Sequence, residues 1–456
     1  MPSLERRLGP RAATTVNVLA MVGAGPFITI PLLLSTMQGP QAMMGWIIGA
    51  VVAVCDGLVW AELGAAIPHS GGSYVFLLEC YGPDRLGRLI GFVSVWLLVL
   101  FMPLVFASGA VGFSGYALYL FPAMTHAQSI ALAMAVCLLT TFLVYRHIDG
   151  IDRLAGLFGL VVLGVGVWIV AEGLTNGSAG LLTLPPEAFR LSHGFWVGLG
   201  GATLFAMYDY GGYQSVCWIG GEVVQPARTI PYSILLSVAI VAVLYLTMNF
   251  SIISVVPWRE AMQSQFIVSD FIARLHGGWA ATLMTLLVLI IILAGLFAGL
   301  LGASRAPYAA AARGLFLKPF ARLHPTGHFP SFSVLFIGIG SALCCVFKLD
   351  QLIQAMLVIT ILGTSLPILG AFLMLRYFRR DLERPFRMWC YPLPLLVALA
   401  GWIYILSATD LLYIAIGAAL LAGGVAAYLV TARLNSQWPW SQKAALPPTF
   451  QRDRSS

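Results

Sequence analysis

The sequence contains few charged residues for its length. Only 9% of its 456 residues are Asp, Glu, Lys or Arg, whereas an average soluble domain has about 25%. Hydrophobic residues make up 59% of the chain, and no stretch is polar enough to form a separate soluble domain. The composition therefore predicts an integral membrane protein with one membrane domain and short tails. The formal net charge of +7 then bears on membrane orientation, and we expect no nucleic-acid partner.

Motifs of enzymes, metal centres and ATP-driven pumps are absent as well. The seven cysteines include no C-x-x-C pair, and the seven histidines fall in or near predicted loops. No G-x-x-x-x-G-K-[ST] phosphate loop occurs. We therefore expect no enzymatic activity, no catalytic residues, no metal and no cofactor. A channel or a receptor stays open as an alternative, because apolar helices are common to all these membrane proteins.

Apolar windows long enough to cross a bilayer recur along the whole chain. They predict twelve transmembrane helices, at residues 14–35, 40–66, 86–117, 127–145, 153–175, 195–220, 229–256, 277–306, 331–347, 351–377, 391–408 and 410–432. The helices group into a first set of five, a second set of five and a final pair, between two tails. These parts cover residues 14–175, 195–377 and 391–432, with tails at 1–13 and 433–456.

The positive charges predict which side of the membrane the termini occupy. An even number of helices places both termini on the same side. With the termini inside, 21 of the 25 Lys and Arg residues fall in inner segments and 4 in outer ones. Inner loops of membrane proteins carry this excess of positive charge. We therefore expect a multi-pass protein of the cell membrane with both termini in the cytoplasm.

Two of the predicted helices contain residues that interrupt helices. The first carries Gly23, Gly25 and Pro26 near its centre, and the sixth carries Gly211 and Gly212. Irregular backbone at membrane depth persists only where it is buried in protein or lines a wet cavity. Broken helices five apart predict a transporter binding site built on an inverted repeat. The alternative is that these glycines only allow helices to pack closely.

The interruptions also predict the chemistry of the ligand. Unwinding frees backbone N–H groups, which attract a carboxylate, and carbonyl groups, which attract an ammonium group or another cation. An α-amino acid carries one group of each kind. We therefore expect a small-molecule substrate with these groups, bound halfway through the lipid bilayer.

Five segments carry a resemblance to a known family. They are "GAGPFITIP" (23–31), "WAELGAAIPHSGGSYVFLLECYG" (60–82), "GGEVVQPARTIP" (220–231), "SRAPYAAAAR" (304–313) and "RPFRMWCYPLP" (384–394). In order and spacing they resemble motifs of the amino acid–polyamine–organocation (APC) superfamily of secondary transporters, over nearly the whole chain. The resemblance implies an all-α LeuT-like fold of twelve transmembrane helices. Ten of them would form a 5+5 inverted repeat, in which helices 1 and 6 are broken, and two would follow at the C-terminus.

The resemblance further implies roles for residues at the breaks. Gly23, Ala24 and Gly25 would offer backbone N–H groups to the substrate carboxylate. Val22 and the carbonyl groups near Tyr208 would receive the ammonium group, and the Tyr208 ring would close over the substrate. The other candidates by position are Pro26, Phe27, Asp209, Tyr210, Gly211, Tyr213 and Gln214.

The chain departs from the family pattern in ways that bear on substrate and coupling. Pro26 stands where an aliphatic residue is usual, and "G-P-F" followed by "G-E-V" is similar to the polyamine-uptake branch and its bacterial relatives. Proton-linked members with a Lys in helix 5 have no counterpart here, because residues 154–175 contain no Lys. The sequence therefore does not identify the coupling ion. Within the superfamily, the chain most resembles the L-type amino acid and polyamine-uptake branches.

Two carboxyl groups fall within predicted helices, where ionisable residues are costly and often functional. Asp209 adjoins Tyr208 at the second break, where relatives usually have Ala or Asn. It is a candidate counter-charge for a cationic substrate group, a candidate proton carrier, or a structural acceptor for freed N–H groups. Asp56 in the second helix is a further candidate for proton or charge coupling, beside a purely structural role.

These observations predict a secondary active transporter that moves amino acids across the cell membrane by alternating access. Uptake of polyamines or other organic cations is the alternative. The predicted partners are a small-molecule substrate, the lipid bilayer and, for coupling, protons.

Overall fold

The computed structural model describes residues 6–82, 85–146, 151–325, 327, 329–379, 381–435 and 438–440. These residues are predominantly helical, and the only β-pairing among them is two isolated bridges. The predicted all-α class is therefore confirmed. The first five residues and most of the predicted C-terminal tail lie outside the described residues.

The helices of the first half follow the predicted apolar windows, except that the first predicted helix is divided and one short helix, at Ser73–Tyr81, was not predicted. They are α1 (Pro10–Met21), α2 (Gly25–Ile28), α3 (Ile30–Met37), α4 (Met44–Ala66), α5 (Ser73–Tyr81), α6 (Leu86–Leu120), α7 (His126–Tyr145) and α8 (Ile151–Asn176). The first predicted helix corresponds to α1, α2 and α3 together.

The second half contains more short helices than the sequence predicted. Its helices are α9 (His193–Tyr210), α10 (Ser215–Trp218), α11 (Pro226–Ile253), α12 (Trp258–Ala261), α13 (Ile267–His276), α14 (Gly278–Ala303), α15 (Arg305–Ala312), α16 (Ser331–Cys344), α17 (Leu349–Thr360) and α18 (Leu366–Tyr377). A single π-helical turn at Ile361–Ser365 joins α17 to α18. The last two helices are α19 (Leu393–Ser407) and α20 (Leu411–Leu434).

Helix length and composition identify the membrane-spanning part. Within the described ranges, seven helical segments are long and apolar enough to cross a membrane, and the bent segment α1–α3 makes eight. Shorter apolar helices cover Val161–Asn176, Ser331–Cys344 and Leu393–Ser407. The chain is therefore a multi-pass membrane protein.

The helix α4 positions the site, because it packs against α9, α11 and α19. A Cβ added to Gly45 would lie 2.6 Å from the backbone carbon of Ala202 on α9. A Cβ added to Gly64 would lie 2.9 Å from Ile230 Cγ2 on α11. These glycines serve close helix packing, which is the usual role of small residues between membrane helices.

Candidate substrate site

The first predicted break is present. α1 ends at Met21, and the axis turns by 62° between the segments Pro10–Ile28 and Ile30–Met37. Pro26 and Pro31 enter the first turns of α2 and α3. A proline has no N–H and its ring crowds the carbonyl four residues earlier, so both prolines favour an interruption before them and stand where a new helical segment begins.

The carbonyl groups released by these prolines have different surroundings. Pro31 frees the carbonyl of Phe27, which accepts a hydrogen bond from the Tyr116 hydroxyl on α6 at 2.7 Å. The carbonyl of Met21 at the end of α1 accepts one from the Tyr245 hydroxyl at 2.8 Å. The carbonyl of Val22, four residues before Pro26, receives no hydrogen bond from the described residues. It is therefore a free acceptor at the break.

Two backbone N–H groups of the break are also unpaired. Gly23 N–H donates to the Met21 carbonyl at 3.1 Å, whereas Ala24 and Gly25 donate to no acceptor in the described part of the chain. Gly23, Ala24 and Gly25 are half-buried, while Pro26 and Phe27 are buried. Among the described residues, the break therefore offers free N–H groups at Ala24 and Gly25 and a free carbonyl group at Val22.

The second predicted break follows Tyr210, where α9 ends. Gly212 has φ +118°, in the left-handed region that favours glycine. A Cβ on Gly212 would lie 2.8 Å from the carbonyl carbon of Ala20 on α1, so the two broken helices touch here. The Asn17 side chain on α1 also accepts a hydrogen bond from Val216 N–H of α10 at 2.8 Å. The two breaks are therefore joined directly.

Tyr208 lies over the first break. A Cβ added to Gly25 would be 3.3 Å from Tyr208 Cε1, which places the ring edge against the unwound backbone. The Tyr208 hydroxyl shares a hydrogen bond of 3.0 Å with the Ser108 hydroxyl on α6. The ring therefore bridges the broken helices and α6, and the side chain is half-buried.

Asp209 also meets the first break. Only 2% of its surface is exposed. Its Oδ2 lies 2.5 Å from the Thr29 hydroxyl, between α2 and α3. Its Oδ1 has no hydrogen-bond partner within the described part of the chain and occupies the space that a side chain on Gly25 would need. No backbone N–H of the described residues donates to Asp209, so it does not cap the break as the structural alternative required.

Tyr210 belongs to a buried aromatic cluster behind the second break. Its hydroxyl donates to the Trp46 carbonyl on α4 at 3.2 Å. The ring packs edge-on against Trp46 and beside Tyr245 of α11, with centroids 5.6 and 5.9 Å apart. Tyr210 is 0% exposed, so its contacts are those of a core residue.

Tyr213 and Asp56 form a separate polar contact. The Tyr213 hydroxyl donates to Asp56 Oδ2 at 2.7 Å, and Trp402 Nε1 of α19 donates to Asp56 Oδ1 at 2.9 Å. Both carboxyl oxygens of Asp56 are thus occupied. Of the neighbouring candidates, Gln214 accepts a hydrogen bond from Gly212 N–H at 3.3 Å, and Gly211 is exposed.

A buried ion pair lies at the end of α4 that precedes α5. Arg376 of α18 donates from Nε and Nη2 to the two carboxyl oxygens of Glu62, at 3.0 and 2.6 Å. Met388 N–H donates to the same carboxylate at 2.7 Å. The Arg376 guanidinium lies over the Tyr391 ring, 4.0 Å from its centroid. This contact links α4 to α18 and to the segment before α19.

The structure brings together only part of the predicted set. Gly25, Tyr208 and Asp209 are in direct contact, and the unpaired groups of Val22 and Ala24 adjoin them along the chain. The sequence interpretation missed the hydroxyl and amide partners of the breaks, which are Asn17, Thr29, Ser108, Tyr116 and Tyr245. All are polar side chains within apolar segments. A polar side chain in a membrane helix is a candidate for a functional role, so this signal was present in the sequence.

Metal ligation is not supported by the side chains that the structure describes. Among them, no group of three or more His, Cys, Asp or Glu side chains could hold a metal ion. The polar groups at the breaks are instead hydroxyls, one carboxyl and backbone amides. Groups of these kinds can form hydrogen bonds with a small organic ion.

Several apolar helices are long enough to span a bilayer, and two helices are broken and contact each other at their breaks. This arrangement is characteristic of membrane transport proteins. A family model described as amino acid permease matches residues 8–441, and the chain therefore belongs to the amino acid permease family. This confirms the superfamily indicated by the five motifs, and it indicates a transporter rather than an enzyme.

Curated relatives match over most of the chain. An uncharacterized transporter of Mycobacterium tuberculosis is 29% identical over 437 residues, covering 93% of this chain and 91% of the relative. The human large neutral amino acids transporter small subunit 2 is 26% identical over 441 residues, covering 94% and 81%. The mouse cationic amino acid transporter 4 is 24% identical over 383 residues, covering 79% and 58%.

Proposed function

We propose that this protein is a secondary active transporter that moves amino acids across the cell membrane by alternating access. The unpaired backbone groups at the first break carry the proposal. The N–H groups of Ala24 and Gly25 would bind the substrate carboxylate, and the Val22 carbonyl would bind its ammonium group. Family membership and the amino acid transporters among the relatives support the substrate class.

The proposal includes twelve membrane crossings in a 5+5 inverted repeat with two further helices. Eight apolar spans, three shorter apolar helices and the interrupted α9–α10 segment are compatible with that number. The breaks at residues 22–24 and 211–214 fall in the first helix of each proposed repeat. Rocking of the broken helices against the rest would expose the site to each side in turn.

Counterflow in proteoliposomes tests the function. Vesicles preloaded with unlabelled amino acid should take up labelled amino acid faster than empty vesicles. The reason is that a carrier with bound substrate reorients its binding site across the membrane faster than a carrier without substrate. A panel of neutral, cationic and anionic amino acids would identify the substrate. If preloading accelerates no amino acid, a receptor or channel is favoured and the proposal is wrong.

Uptake of polyamines or other organic cations is the second candidate. Asp209 favours it, because a carboxyl group at the break with a free Oδ1 is an acceptor for an amine. Putrescine belongs in the same counterflow panel. Uptake of putrescine without uptake of amino acids would replace the first candidate with the second.

Removal of the Tyr208 ring should impair transport strongly. The ring lies against Gly25, and its loss would open the proposed site to water and remove the contact that favours the closed state. We expect Tyr208→Ala to lower the initial uptake rate at least about tenfold, which corresponds to roughly 1.4 kcal/mol. Tyr208→Phe keeps the ring and loses only the bond to Ser108, so its uptake should stay within about threefold of wild type. Equal effects of the two variants would contradict a role for the ring.

Labelling of Cys390 tests the proposed cytoplasmic termini. Cys390 is exposed in the segment between α18 and α19, which the positive-charge bias assigns to the inside. A membrane-impermeant maleimide should label it in inside-out vesicles and not in intact cells. Cys390→Ser supplies the control for labelling of the other thiols. Labelling of Cys390 in intact cells would reverse the orientation.

A further inference from the structure

Asp209 is a buried carboxyl group, and no positively charged side chain of the described residues compensates it. The titratable groups around it are the phenols of Tyr208, Tyr210 and Tyr245. No Lys, Arg or His of the described residues forms an ion pair with it. On the neighbouring α4, the carboxyl groups of Asp56 and Glu62 are occupied by other partners. An ionised carboxylate in these surroundings is strongly disfavoured.

The hydroxyl of Thr29 limits how Asp209 can be satisfied. It lies 3.0 Å from the Gly25 carbonyl and 2.5 Å from Asp209 Oδ2, and a hydroxyl has only one proton to donate. If Asp209 carries a proton on Oδ2, it donates to Thr29, and Thr29 donates to Gly25. If Asp209 is ionised, the hydroxyl can donate to only one of the two oxygens, and the Gly25 carbonyl then keeps only the hydrogen bond from Thr29 N–H, at 3.0 Å. The protonated arrangement satisfies both contacts and buries no charge.

The position of Asp209 also affects a substrate carboxylate. Oδ1 occupies the space next to Gly25, whose N–H is one of the free donors at the break. A carboxylate bound to this N–H would lie beside Asp209. Two ionised carboxyl groups sharing a site repel each other, so one of them takes up a proton.

We propose that Asp209 must be protonated for an amino acid to bind, and that this proton crosses the membrane with the substrate. This inference rests on the proposed amino acid transport. A proton from the outer solution binds Asp209 Oδ2 before or with the substrate carboxylate. After the site opens to the cytoplasm, the substrate leaves and the proton passes from Oδ2 to water. The stoichiometry is one proton per amino acid.

The coupling between proton binding and substrate binding determines in which direction pH changes the apparent affinity. A substrate that binds only the protonated form has higher apparent affinity at lower pH, because acid raises the fraction of protonated protein. Above the pKa of the group, the apparent KM should therefore rise by about tenfold per pH unit. Asp209→Asn mimics the neutral carboxyl group, so its apparent KM should not change with pH.

The experiment uses purified full-length protein in proteoliposomes with the amino acid selected by counterflow. Wild type should accumulate this amino acid when the outer solution is acidic, and its addition should acidify the lumen, reported by an enclosed pH-sensitive dye. Asp209→Asn should exchange the amino acid across the membrane but accumulate none in response to the gradient. Size-exclusion chromatography and thermal unfolding show whether the variant is folded.

Asp270→Asn is a matched control. Asp270 Oδ2 also lies 2.5 Å from a hydroxyl, that of Ser264, but Asp270 belongs to α13 and not to the breaks. This variant should keep the pH dependence and the gradient-driven accumulation. The control separates a change at the site from the general effect of neutralising a hydroxyl-bonded aspartate.

Several outcomes would overturn the inference. Gradient-driven accumulation by Asp209→Asn would place the proton elsewhere. Wild-type exchange that is independent of pH, with no acidification of the lumen, would exclude proton coupling even if Asp209→Asn does not fold. Selective loss of putrescine uptake in Asp209→Asn would make the residue a counter-charge. Absence of amino acid counterflow by wild type at every pH would instead refute the proposed function itself.

Discussion

Gly25→Ala is expected to abolish transport and to destabilise the protein. The new Cβ would overlap Asp209 Oδ1 and lie 3.1 Å from Asp209 Cγ. The carboxyl group would have to move, and it would then lose its hydrogen bond to Thr29. Steric overpacking in a buried site costs about 1–3 kcal/mol. We expect uptake at background level and a lower unfolding temperature in detergent.

Gly23→Ala is the matched control for this prediction. Apart from Gly23 and its two chain neighbours, no atom of the described residues lies within 4 Å of a Cβ built on Gly23, so the same chemical change should leave the unfolding temperature close to that of wild type. The double variant Gly25→Ala/Asp209→Ala tests the cause, because removing the opposing carboxyl group should restore stability. Wild-type stability and uptake in Gly25→Ala would show that the breaks are not packed as described.

The interruptions could be predicted from the sequence because proline and glycine act locally. Pro26 lacks the N–H that a continuing helix needs, and the structure is interrupted just before it. Gly212 adopts a φ that favours glycine. The apolar windows likewise predicted the long helices, because the requirement to cross a bilayer applies to each segment by itself.

The short helices were missed because they have no such signal. α13 has only ten residues and is amphipathic, with Val268, Phe271 and Ile272 buried. A search for apolar windows long enough to span a membrane does not detect a helix of this length. α5 lies within the segment 60–82, which was used only as a family motif. Its residues were not analysed for helical periodicity, and the helix was missed.

The partners of the site residues depend on packing between distant segments. Thr29 and Asp209 are 180 positions apart, and Glu62 and Arg376 are 314 apart. Asp56 had no predictable partner, yet Tyr213 and Trp402 occupy both of its oxygens. A single sequence identifies such carboxyl groups as unusual but contains no information on which helix faces them.

Arg376→Met should destabilise the protein more than any surface substitution. The Glu62 side chain is 0% exposed, and Arg376 supplies two of its hydrogen bonds. Without Arg376, the carboxylate would keep the Met388 N–H, while Arg384 Nη1 lies 3.9 Å from it, beyond hydrogen-bond distance. Breaking a buried pair from one side costs about 3–5 kcal/mol where the remaining charge is uncompensated, and the nearby Arg384 guanidinium places the expected loss at the lower end of this range.

The exposed pair Arg190–Glu187 provides the comparison. Its two side chains are 71% and 66% exposed at a distance of 2.9 Å, so Arg190→Met removes an ion pair of similar length from water. Exposed pairs contribute about 0–1 kcal/mol, and this variant should unfold within a few degrees of wild type. The double variant Glu62→Gln/Arg376→Met should recover part of the stability lost in Arg376→Met, because it removes the buried charge as well. If Arg376→Met and Arg190→Met unfold at the same temperature, the contact between α4 and α18 does not hold these helices together.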